Sequence, residues 1–110
     1  MIQDTIAKIE AQIQKGSSIK DENKTQLLGL LATLKSEIEK LAEAHGEQAE
    51  SIAGFTRIST HEATRQNKDP QLMKLSAKGL SSSVKGFEMS HPKLVEIVNS
   101  ISQVLSNMGI

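Results

Sequence analysis

Asn67-Lys68-Asp69-Pro70 is the clearest break in this sequence of 110 residues. Asn tolerates the backbone conformation that ends a helix, Asp is a favoured N-cap, and Pro fits the first position of a new helix. The chain is therefore expected to turn at 67–69. Because the segments 26–66 and 70–110 match in length, we predict an antiparallel hairpin of two helical arms.

Apolar residues at helical spacing run through the arm before the turn. Their stripe continues more weakly through Ile52 and Phe55, so we predict a helix over 19–66 with a possible break near Gly46. Ser18 and Asp21 resemble a capping box at its start. A separate helix over 2–15 carries its own stripe of Ile. The stripe residues of these two helices are Ile2, Ile6, Ile9, Ile13, Leu27, Leu31, Leu34, Ile38 and Leu41.

The arm after the turn is predicted to contain helices over 70–89 and 91–108. Small residues at Gly79, Ser83 and Gly86 favour a close contact with another helix. Pro92 disfavours helical geometry at His91, which indicates a kink that lies level with the Ala44–Gly46 region of the first arm. The apolar face of this arm comprises Met73, Ala77, Leu80, Val84, Phe87, Leu94, Ile97, Val98, Ile101, Val104, Leu105 and Met108, with Leu72 and Leu75 to the side.

These patterns predict one all-α domain over 1–110: a coiled-coil-like antiparallel helical hairpin with kinked arms, plus a short N-terminal helix. Arms of about 60 Å, at 1.5 Å per residue, could not bury their apolar faces alone. We therefore expect self-association into a helical bundle, with a dimer favoured. The predicted structural and interface residues are Ile38, Leu41, Gly79, Gly86, Phe87, Ser90, Pro92, Ile101, Leu105 and Gly109.

The composition argues against several classes of function. Thirteen basic and thirteen acidic residues leave no net charge to attract nucleic acid or an anionic membrane. The absence of Cys excludes disulfides and thiolate sites, and no signal peptide or membrane span is visible, so we expect a cytoplasmic protein. With no phosphate loop, Rossmann fingerprint or nucleophile elbow, we expect neither an enzyme nor a cofactor. The favoured function is a non-enzymatic interaction module that associates with itself and could also offer a groove to an unknown protein partner.

Two alternatives rest on particular side chains. Lys74, Lys78 and Lys85 share one flank of a helix, which would suit a nucleic-acid-associated regulator, although the absence of Arg and of aromatic neighbours favours a solvated face. His45 and His91 would lie at the same level of the hairpin, where a weak metal site could form.

The histidines have simpler interpretations that we prefer. His45 falls on the apolar stripe and is predicted to be a core or interface residue. His61 is predicted on the helix surface, and His91 beside a backbone group at the kink. We therefore expect no metal site.

The C-terminal segment resembles a known family. Residues 86–94 read GFEMSHPKL and the chain ends in NMGI, a pair of motifs similar to those of the bacterial domain of unknown function 4404. The resemblance covers Leu80 to Ile110 well and 21–41 loosely, whereas 46–69 departs from it. It implies a small bacterial helical protein without an assigned activity. If the motifs are structural, Phe87 anchors the kink, Ser90 and Pro92 start the last helix and Gly109 closes it.

Overall fold

The computed structural model describes residues 2–108, and within that range the chain forms five α-helices and no strand. The helices are α1 (Ile2–Lys15), α2 (Asp21–Ala42), α3 (Gly46–Thr64), α4 (Pro70–Ser83) and α5 (Pro92–Met108). The all-α prediction is confirmed. The possible break near Gly46 is real, since α2 and α3 are separate helices.

The first three helices alternate in direction, so α1 and α3, which pack against each other, run parallel. The Gln12 side chain on α1 donates a hydrogen bond to the Thr64 hydroxyl at the end of α3 (3.3 Å). Lys24, near the start of α2, donates to the carbonyl of Gln14 (3.3 Å). The ends of α1 and α3 and the start of α2 therefore lie at one end of the molecule, and α2 is antiparallel to both.

The pairing of helices keeps the predicted hairpin but shortens it. As expected, α3 packs against α4 and α2 packs against α5. The expectation of arms about 60 Å long is wrong, because the molecule measures 37 × 24 × 22 Å. Each arm folds back on itself, one at residues 43–45 and the other at residues 84–91.

The central helix is α3, which contacts all four other described helices. It carries small polar residues on its buried side, and three of its Thr hydroxyls are bonded within the helix. The hydroxyls of Thr56, Thr60 and Thr64 each donate to the backbone carbonyl four residues earlier, at 2.7–2.8 Å. Because these three hydroxyls need no partner outside the helix, they can lie in the middle of the bundle, whereas the buried hydroxyl of Ser59 has no hydrogen-bond partner among the described residues.

The aliphatic stripes of the other helices face inward. Ile6, Ile9 and Ile13 of α1 are at most 1% exposed, and the stripe of α2 is equally covered. At 25–30 cal/mol per Å², such burial is worth about 1.5–3 kcal/mol for each side chain. These stripes are thus covered within one chain, and the need to cover them no longer argues for a second copy.

The structure tests three of the predicted helix ends. The N-cap at Asp69 is confirmed, since its Oδ1 accepts from the amides of Gln71 (3.1 Å) and Leu72 (3.2 Å). The predicted capping box at Ser18 is not formed, because the N-cap of α2 is Lys20 and no side chain bonds there. The helix predicted over 70–89 is α4, and it ends at Ser83 rather than at 89.

Candidate interaction surfaces

The close contact between α3 and α4 is centred on Gly79. A Cβ atom built at this position would overlap the ring of Phe55 on α3. The close helix contact predicted at Gly79 is therefore present. Gly86 does not share in it, since it lies beyond α4 in a turn, with φ of 95° and nothing within 4 Å of a built Cβ. Only a residue without a side chain adopts that φ without strain.

An exposed apolar surface lies over this contact, and we call it the α3–α4 patch. It consists of Phe55 and Ile58 on α3, which are 37% and 50% exposed, and Leu72 and Leu75 on α4, which are 42% and 67% exposed. Each pair is one helical turn apart, so its members share a face. Phe55 lies against Gly79, one turn beyond Leu75, which brings the two pairs side by side.

The patch corrects one sequence expectation. The predicted stripe through Ile52 and Phe55 holds for Ile52, which is fully buried, but not for Phe55, which is 37% exposed beside a core-facing side of α3 made mostly of Ala, Ser and Thr. Leu72 and Leu75, which the sequence sets apart from the main apolar stripe of α4, are both exposed.

A second surface, which we call the lysine groove, runs along α4 beside α5. It is an open groove of about 1020 Å³. Lys74, Lys78 and Lys85 line it, and all three are exposed. Met73 and Ala77 contribute an apolar floor. The remaining lining residues are Pro70, Gln71, Leu75, Ser81, Ser82, Ser102 and Ser106, so no carboxylate lines it. The lysines that the sequence placed on one flank therefore share a groove.

Aromatic rings meet at the corner of the two arms. The Phe87 ring lies 5.5 Å from that of His45 and 5.7 Å from that of His91, both edge to face. The predicted alignment of the kink with the Ala44–Gly46 region is thus confirmed. His45 is exposed rather than part of the core. The Nδ1 atom of His91 lies 3.0 Å from the hydroxyl of Ser90, not against a backbone group as expected.

This corner does not bring together a set of metal ligands. Across residues 2–108, no three His, Asp or Glu side chains are grouped so that they could hold an ion. His61 lies on the surface as predicted, with its Nε2 atom 4.0 Å from a carboxylate oxygen of Glu62.

The other predicted structural residues lie in two environments. Ile38, Leu41, Ile101 and Leu105 are at most 1% exposed and belong to the core of a single chain. Ser90 and Pro92 are exposed, where α5 begins. Gly109 lies outside the described residues. Unlike the predicted stripes, the patch and the groove are exposed on the single chain.

Together these features define a small five-helix protein over the described range, with an apolar patch on α3 and α4 and a basic groove between α4 and α5. The chain belongs to the family described as a domain of unknown function, DUF4404, whose model matches residues 2–110. The match confirms the family resemblance and includes 46–69, which the motifs did not cover. Searches of curated proteins and of solved structures found no match. No helix between residues 2 and 108 has the combined length and apolar character that crossing a membrane requires.

Proposed function

We propose that this protein is a non-enzymatic interaction module that forms a homodimer through the α3–α4 patch. The observation that supports the proposal is the grouping of four large apolar side chains on two packed helices of an otherwise well-buried bundle. Isolated exposed Leu residues are common on protein surfaces, whereas grouped ones mark contact sites. The lack of Cys suits a reducing cytoplasm, which is where we place the protein.

The size of the patch fits the centre of a modest dimer interface. The exposed parts of its four side chains amount to roughly 400 Å² of apolar surface, taking about 200 Å² for each side chain. A standard interface buries about 800 Å² per partner, and a little over half of it is apolar. The patch therefore supplies most of the apolar area that such an interface needs.

A second copy is the occupant that best matches the patch. In a two-fold dimer the same surface meets itself, so Ile58 and Leu75 of one copy can pack against the same residues of the other. The formal net charge of the chain is zero, so two copies do not repel each other at long range.

The oligomeric state tests the proposal. Analytical ultracentrifugation should find a dimer for the unmodified chain at tens of micromolar. The double substitution Ile58→Lys, Leu72→Lys should shift the protein to monomer. In a dimer, the two new positive charges of each copy would be buried opposite the two of the other copy. Met89→Lys is the matched control, since Met89 is 95% exposed and lies outside α3 and α4.

Circular dichroism of each variant shows whether the bundle is intact. A monomeric unmodified chain at millimolar concentration would refute self-association. Retention of the dimer in a folded Ile58→Lys, Leu72→Lys variant would refute the choice of surface.

A further inference from the structure

We infer that the lysine groove binds an acidic amphipathic helix of a protein partner. This inference extends the proposed interaction role to a different occupant and does not depend on dimerisation. Leu75 lies on the boundary between the groove and the patch, whereas Lys74 and Lys78 belong to the groove alone.

The positive charge of the groove indicates a negatively charged partner. Three ammonium groups line the groove and no carboxylate does. The sequence of α4 contains no Asp or Glu, and α5 contains one, Glu96, which is not part of the lining. The groove is therefore a positively charged surface on a chain without net charge. It favours a partner that carries several carboxylates.

The spacing of the charges favours a helix over a small anion. Lys74 and Lys78 are four residues apart on α4, about 6 Å along its axis, and Lys85 follows seven residues later, two positions beyond the end of α4 at Ser83. A small anion spans one of these steps at most. A helix laid along α4, with Asp or Glu at the same steps, can approach all three lysines.

The floor and walls of the groove also suit a helix. Met73 and Ala77 offer an apolar surface to the apolar face of the partner, as in other helix-in-groove complexes. Ser102 and Ser106 line the α5 side, where their short side chains leave the groove wide.

Nucleic acid fits the groove less well. Neither Arg nor an aromatic residue lines it. The guanidinium group of Arg binds a phosphate through two hydrogen bonds, and aromatic rings stack on bases. Both interactions strengthen nucleic-acid binding beyond charge attraction alone. An apolar floor between the lysines offers nothing to a phosphate backbone.

A model peptide provides the test. The probe is a helical peptide of about 18 residues, with Glu at steps of four and seven, Leu on the adjacent face and one Trp. Because the protein has no Trp or Tyr, the peptide's fluorescence anisotropy reports binding without background. Lys74→Gln with Lys78→Gln should weaken binding about fivefold, taking about 0.5 kcal/mol per exposed ion pair.

The matched control removes the same charge elsewhere. Lys8→Gln with Lys35→Gln alters α1 and α2, neither of which contacts α4 within the described residues, and should leave peptide binding unchanged. Replacing by Gln the two peptide Glu that face Lys74 and Lys78 should weaken binding as much as the groove variant does, and 0.5 M salt should remove the difference between the variant and the unmodified protein.

Three results would overturn the inference: equal weakening by the groove and control variants, no peptide binding at millimolar protein, or tighter binding of a 20-base-pair DNA duplex than of the peptide. Sedimentation of the Lys74→Gln, Lys78→Gln variant keeps the two proposals apart. A dimer that persists while peptide binding falls supports the groove independently of the patch.

Discussion

Replacement of Gly79 by Ala probes the closest helix contact in the molecule. In a helix interior, Ala is favoured over Gly by about 1 kcal/mol, so the substitution by itself should stabilise α4. At this position, however, the new methyl group would overlap the Phe55 ring, which must move. Overpacking of this kind costs about 2 kcal/mol. We expect a net loss of about 1 kcal/mol, which lowers the melting temperature by about 4 °C.

A matched glycine separates the two contributions. Gly29 lies inside α2 with nothing within 4 Å of a built Cβ. Gly29→Ala should therefore show the helix preference alone and raise the melting temperature by about 4 °C. Thermal unfolding followed by circular dichroism measures both variants, which should differ by about 8 °C.

A double-mutant cycle identifies Phe55 as the cause. In a Phe55→Ala background the ring is absent, so Gly79→Ala should become stabilising by about 1 kcal/mol. The coupling between the two positions is then about 2 kcal/mol. If Gly79→Ala stabilises the unmodified chain as much as Gly29→Ala does, the close approach of α3 and α4 is refuted.

Three further substitutions test the turns between helices. Gly86→Ala should destabilise the fold by about 1 kcal/mol, because φ is 95° there; unchanged urea unfolding would contradict that geometry. Asp69→Ala should cost about 1 kcal/mol through loss of the N-cap bonds, whereas Asp69→Asn should cost little; equal losses would exclude a capping role. Phe87→Leu should cost roughly 1–2 kcal/mol, since both ring contacts disappear; a loss that persists when His45 and His91 are also replaced would show that those contacts contribute nothing.

Much of the helix content follows from local rules. The cap at Asp69, the turn before Pro70 and the periodic stripes depend on residues a few positions apart, so they can be read from the sequence. Equal arm lengths also predicted that the α4–α5 corner meets the α2–α3 corner, where Phe87 now contacts two imidazole rings.

The surfaces could be predicted only in part. The spacing of Lys74, Lys78 and Lys85 is visible in the sequence, but the groove depends on where α5 lies. The sequence also places Leu72 and Leu75 outside the main apolar stripe of α4. Phe55 follows the helical period of a core residue and is nevertheless 37% exposed, because α3 turns Ile52 and a run of Ala, Ser and Thr side chains toward the core instead.

The amino-acid sequence by itself determined that this protein is helical, where its central turn lies and which faces are apolar, because each property depends on neighbours along the chain. Only the tertiary structure decided that residues 43–45 reverse the chain instead of bending a long arm. An aliphatic stripe lowers its free energy equally well against a second copy or against its own chain. The choice depends on whether five short helices can cover one another, and here α3 packs against all the others in the described range.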